Sequence, residues 1–182
     1  RIWLIGGAIV LSFSLLLAVI LTSGIRFKKF FRAVIYLPNI VSAVALATMW
    51  LQYVYNSKFG LLSSVLRAVG LKTLADTPWV DTDHLFWALL FAYCFGMVGY
   101  HMLIWCSGIE RISPDLFEAA TIDGANKPKQ FLYITRPLLR GVFKTNITMW
   151  SVSTAAFFVW SQLFSTVTAS KATMVPVQYL YL

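Results

Sequence analysis

LFWALLFAYCFGMVGYHMLIWCSGI, Leu85 to Ile109, contains no Asp, Glu, Lys or Arg. A helix needs about 20 residues to cross roughly 30 Å of hydrocarbon, so this stretch is long enough to span a bilayer. Three further uncharged runs share that property: Ile2 to Leu21, Ala33 to Tyr55 and Thr145 to Ser170. Across the chain 59% of residues are hydrophobic and the mean hydropathy is +0.73. A soluble domain of this size would have to expose too much of that apolar surface to water. The expectation is an all-α, polytopic transmembrane helix bundle forming one domain over residues 1–182, because open sheet edges in lipid would leave backbone groups unpaired. Ile2 to Leu21 is long for a signal peptide, lacks a small-residue cleavage pattern and is followed by further spans. The chain opens on Arg1 and closes on MVPVQYLYL, an apolar, aromatic stretch that reads as the start of another span. Four spans are therefore a lower bound, with a helix expected to be lacking at each end.

The net charge of +8 is distributed unevenly. Between the first and second runs lie Arg26, Lys28, Lys29 and Arg32, with no acid. Between the second and third, Lys58, Arg67 and Lys72 are balanced by Asp76, Asp81 and Asp83. Between the third and fourth come Arg111, Lys127, Lys129, Arg136, Arg140 and Lys144 beside four acids. The positive-inside rule puts the first and third connections in the cytoplasm and the loop 56–84 outside the cell. Such blocks at span ends argue against nucleic acid as a partner and for membrane lipid. Cys94 and Cys106 fall on one helix, about 18 Å apart along its axis, so they cannot pair with each other there. They read as small apolar packing residues.

Residues 110–140 hold the richest pattern. Ser113 can cap a helix with Pro114 at its first position, where a missing N–H costs nothing. That helix should reach about Ile122, with Asp123-Gly124 as the turn and glycine free to take positive φ. Asn126 can cap a second helix whose first turn tolerates Pro128, and Pro137 then bends the path toward the fourth run. Two short helices joined by a glycine corner make a projecting knuckle. Its Ala119 and Ala120 would let a partner surface come close, and Glu118 and Asp123 offer carboxylates. An ordinary solvated connector would show the same pattern.

In the second run, Pro38 and Asn39 predict a kinked span with a polar amide at the kink. In the third, Gly96 and Gly99 would let another helix approach closely. FGLLSSVLRAVGL, Phe59 to Leu71, has apolar spacing suited to a short amphipathic helix at the interface.

Three segments together resemble the permease subunits of binding-protein-dependent ABC importers, in particular the carbohydrate-uptake branch. They are FFRAVIYLPNIVSAVALATMW (Phe30 to Trp50), FGLLSSVLRAVGL, and LIWCSGIERISPDLFEAATIDGANKPKQFLYITRPLL (Leu103 to Leu139). The stretch EAATIDGA, Glu118 to Ala125, is the most specific of the matches. Lys127-Pro128-Lys129, Arg136 and Gly141 depart from the family pattern. The resemblance implies a second permease subunit, two ABC ATPase subunits, an extracytoplasmic solute-binding protein and a bacterial or archaeal cell membrane. It also implies that residues 110–140 form a cytoplasmic coupling loop, with Glu118, Ala119, Ala120, Asp123, Gly124 and Ala125 seated on an ATPase. No cofactor is expected in the chain, because ATP and magnesium would be bound by the partner ATPase.

The spans carry no acidic or basic side chain, which disfavours an ion-coupled carrier and points to a neutral solute moved by an external energy source. Asn39, Ser42, Trp50 and Gln52, with Asn146, Trp150, Ser153 and Gln162, are the candidate path, since polar groups beside flat rings suit a sugar. An intramembrane enzyme would want a nucleophile and base or a metal cluster at membrane depth. Only His84 and His101 are present, His101 reading as a hydrogen-bonded bundle residue, and neither a catalytic residue nor a metal ligand is assigned. A passive channel or scaffold would not need the charged knuckle.

Overall fold

The computed structural model describes residues 1–81 and 83–165. Among these the regular structure is helical, with no strand. Helix α1, Ile2–Thr22, stops at Ser23, whose hydroxyl and N–H both bond the Ile20 carbonyl. Helix α2, Lys28–Ile40, is followed by α3, Ala43–Met49, which passes into a π-helical segment, Trp50–Val54. The loop beyond holds α4, Leu61–Ala68, and α5, Lys72–Ala75. Helix α6, Leu85–Ile109, has the bounds of its uncharged run. Then come α7, Pro114–Ile122, and α8, Lys127–Gln130. A π-helical turn, Phe131–Thr135, leads to α9, Arg136–Leu138, then α10, Arg140–Ala155, and α11, Phe158–Ser165.

Two of the four expected spans need correction. The second run is not one kinked helix. Pro38 withholds an N–H from the ladder, yet α2 persists two residues beyond it, and the chain turns by 96° at Val41-Ser42. Ser42 makes the restart possible, its hydroxyl accepting from Ala45 N–H at 3.3 Å as the cap of α3. The fourth run is likewise divided, between α10 and α11, at Ala156-Phe157. Its last residues, and the MVPVQYLYL segment, lie outside the described residues. Among the described residues α1 and α6 are long and apolar enough to cross a membrane, and the bent α2–α3 pair adds a third crossing if it counts as one span.

The chain divides into two compact units, and α6 contributes to both, passing from one to the other between Gly96 and Met97. In the unit built from Trp3–Leu37 and Met97–Val152, the core is Ala18, Leu21, Met102, Trp105, Cys106 and Leu139. Gly99 brings α2 and α6 together there, because a Cβ at that position would overlap the Ile35 carbonyl and the Tyr36 Cα. In the unit holding Pro38–Gly96 and the described residues from Ser153 to Ser165, Tyr93 packs edge-on against Phe157 with centroids 4.6 Å apart. There the Tyr55 hydroxyl donates to the Ala88 carbonyl at 2.9 Å.

Candidate functional site

The knuckle forms as its local chemistry dictates. Ser113 caps α7 by accepting from the Asp115 N–H at 3.4 Å, with Pro114 in the first turn. Its far end closes as a Schellman motif: Ala125 N–H bonds the Ala120 carbonyl at 2.8 Å, and Gly124 N–H bonds that of Thr121 at 3.0 Å. Gly124 sits at φ +76°, where a side chain would be strained. Asn126 then caps α8 through Lys129 N–H at 3.1 Å.

One residue that the sequence reading missed holds the corner. Gln130 is 4% exposed, and its amide donates to Thr121 Oγ1 at 2.9 Å and the Ala125 carbonyl at 3.1 Å, with a longer contact to the Phe117 carbonyl. The side chain therefore clips the second short helix onto the first. Glutamine four residues after a helix cap carries no distinctive sequence signal; only its burial reveals the role.

The six residues carried over from the resemblance divide by function within this corner. Asp123, Gly124 and Ala125 build the stop, while Glu118 and Ala119 stand exposed and Ala120 is half-buried. Helix α7 has no buried residue, and Ile122 is 87% exposed. The Glu118 and Asp123 carboxylates have no side-chain partner among the described residues. Glu110, at the root of this segment, is anchored instead: Arg32 Nη2 reaches its carboxylate at 2.6 Å and Lys28 Nζ lies at 3.9 Å. The Arg32 hydrogen bond holds the Glu110 carboxyl below the usual carboxylate range. This pair joins the first basic connection to the root of the third.

The candidate path residues are not gathered into one site within either unit. Asn146 is fully buried, its Oδ1 2.8 Å from His101 Nδ1 and its amide donating to the Val142 carbonyl at 3.2 Å. Trp150 is buried as well and donates to the Trp3 carbonyl at 2.9 Å. Both are spent on packing, and His101 is the hydrogen-bonded bundle residue expected. The hydroxyls of Thr145, Thr148 and Ser151 bond back to carbonyls four residues earlier in α10, and Ser153 is half-buried.

In the other unit Asn39 donates to the Gly96 carbonyl at 3.3 Å, and Ser42 is the cap of α3. Trp50 packs on Tyr55 and Phe95, and Gln162 is exposed on α11. Gln52 lines an open cleft of about 750 Å³ with Thr48, Tyr55, Asn56 and Lys58. Of the eight path candidates it alone lines that cleft, whose other polar groups the sequence reading did not single out.

The family model described as binding-protein-dependent transport system inner membrane component matches residues 4–179. The chain is 33% identical over 133 residues to the xylose/arabinose import permease protein XacH of Haloferax volcanii, covering 72% of this chain and 41% of that protein. It is 29% identical over 140 residues to the diacetylchitobiose uptake system permease protein NgcF of Streptomyces coelicolor, covering 76% of this chain and 39% of that protein. The chain thus spans about two fifths of the length of these curated relatives. Among solved structures, a chain of a bacterial ABC transporter involved in alginate import superposes with a TM-score of 0.72 at 18% identity, over 98% of this chain and 60% of that one.

Proposed function

Because this chain belongs to the family of binding-protein-dependent transport system inner membrane components, we propose that it forms half of the membrane path of an ATP-driven importer and takes its drive through the Glu118–Ala125 knuckle. Its companions in this reading are a second permease subunit, two ATPase subunits and an extracytoplasmic solute-binding protein. Residues 110–140 are the cytoplasmic coupling loop, and residues 56–84 lie outside the cell. ATP and magnesium sit on the ATPases, which do the hydrolysis.

The observation that carries the reading is a helix with no buried residue, closed by a capped corner and an internal amide clip. Such an arm is stiff enough to transmit displacement, yet it leaves Glu118, Ala119 and Ile122 uncovered. A partner that engages this face in one state of its cycle shifts the bundle between inward-open and outward-open arrangements. The proposed solute is a neutral sugar or oligosaccharide. Support comes from the uncharged spans and from the carbohydrate named for each relative above.

The test is Glu118→Lys in the reconstituted transporter. Reversing one charge-assisted contact should cut coupled uptake about tenfold or more while leaving the protein in the membrane. Wild-type coupling in that variant removes Glu118 from the mechanism. Uptake of amino acids or metal ions but of no carbohydrate rejects the solute class.

A further inference from the structure

A second cleft, of about 640 Å³, lies beside the charged first turn of α10 and has a distinct chemistry. Leu15, Trp105, Phe131 and Phe143 form an apolar wall, and Arg136, Arg140 and Lys144 line the same space. No carboxylate lines it. The three cations recur every four residues, are exposed, and have no side-chain hydrogen bond or ion pair among the described residues. Trp105 is 2% exposed, and its buried indole N–H has no partner among the described residues.

We propose that this cleft is a binding site for one anionic phospholipid. The headgroup phosphate meets the guanidinium and ammonium groups, and an acyl chain lies along the aromatic wall. Arg140 and Lys144 immediately precede the uncharged run that begins at Thr145, which puts them at headgroup depth. A soluble anion would leave the apolar wall wet, and a purely apolar helix would leave three cations unpaired. An amphiphile with an anionic head satisfies both halves of the cleft.

The experiment is native mass spectrometry of the full-length protein released from detergent with phosphatidylglycerol or phosphatidylcholine at matched mole fraction. Wild type should retain one phosphatidylglycerol in preference to phosphatidylcholine. The triple variant Arg136→Gln, Arg140→Gln, Lys144→Gln should lose that preference by on the order of 100-fold, at about fivefold per cation. A control triple, Arg26→Gln, Lys29→Gln, Arg111→Gln, should keep it. If the neutralised triple fails to fold, the charge-keeping pair Arg136→Lys, Arg140→Lys should retain the lipid and Arg140→Gln alone should weaken it about fivefold.

Equal retention of the two lipids overturns the proposal, as does an unchanged preference in the neutralised protein or an equal loss in the control. Displacement of the lipid by soluble glycerol phosphate at matched concentration would show a free-phosphate site instead. Crosslinking of Arg140→Cys to a neighbouring polypeptide with no lipid retained would assign the cleft to a protein partner. None of these outcomes depends on the knuckle, so the lipid site and the coupling role fail independently.

Discussion

The two polar connections that flank α6 use the same local chemistry to different ends. In residues 56–84 much of the polar chemistry closes within the loop, although the buried Trp79 Nε1 and His84 Nδ1 have no partner among the described residues. Asn56 Oδ1 accepts from Lys58 and Phe59 N–H, its carbonyl accepts from Gly60 N–H and the Ser63 hydroxyl, and Arg67 pairs with Asp76 at 2.7 Å. In residues 110–140 the backbone is as carefully capped and the Ser113 hydroxyl donates to Asp115 Oδ2 at 3.2 Å, yet the Glu118 and Asp123 carboxylates have no side-chain partner among the described residues. The first loop draws its ion pair from within itself; the second is capped but leaves Glu118 and Asp123 open, which is what a surface engaging another protein intermittently requires.

That contrast can be broken most directly at Gln130. Gln130→Leu keeps the burial but removes the donor, leaving the Ala125 carbonyl without its clip, at a cost of about 1–3 kcal/mol. Hydrogen exchange of residues 114–126 should accelerate while residues 56–84 stay at the wild-type rate. Unchanged exchange in the knuckle would mean that the caps alone stiffen it.

Gly124→Val forces a β-branched residue into φ +76° and should cost about 1–2 kcal/mol, seen as a lower unfolding midpoint and fraying at the end of α7. Full retention of that helix end would show that the Schellman corner tolerates a side chain.

The smallest effect belongs to Glu110. Arg32 lowers its pKa in the fold, so the pair contributes fully above the ordinary carboxylate value of 4.5, and the contribution fades as pH falls through the lower folded value. The carboxylate is 43% exposed, which limits the contribution to about 0.2–1 kcal/mol. Glu110→Gln should flatten that acid limb of the melting curve, and an unaltered limb would assign it elsewhere.

Several features of the knuckle were legible residue by residue. Ser113, Pro114, Asp123-Gly124 and Asn126 act on backbone groups within a few positions, so their chemistry is complete in the local sequence. Length and charge similarly gave α1 and α6 their ends to within a residue. The second and fourth runs misled because hydropathy measures what lipid tolerates, not whether the helix within it is continuous. Pro38 marked the right neighbourhood, but the turn came where Ser42 could restart the ladder. The partners of the path candidates were not legible for another reason: an amide in a span looks the same whether it faces a solute or a histidine 45 residues away.

Sequence by itself determined that this chain lives in a bilayer, where its charges lie, and that a capped, glycine-cornered arm stands between two apolar runs. These follow from solvation and from hydrogen bonds between near neighbours, which need no distant partner. Only the tertiary structure decided that Gln130 locks the arm, that Asn146 and Trp150 are spent on packing, and that Arg136, Arg140 and Lys144 share a cleft with an aromatic wall. Each of those depends on which remote groups fold together, since burial and partnership belong to the three-dimensional arrangement rather than to any residue alone.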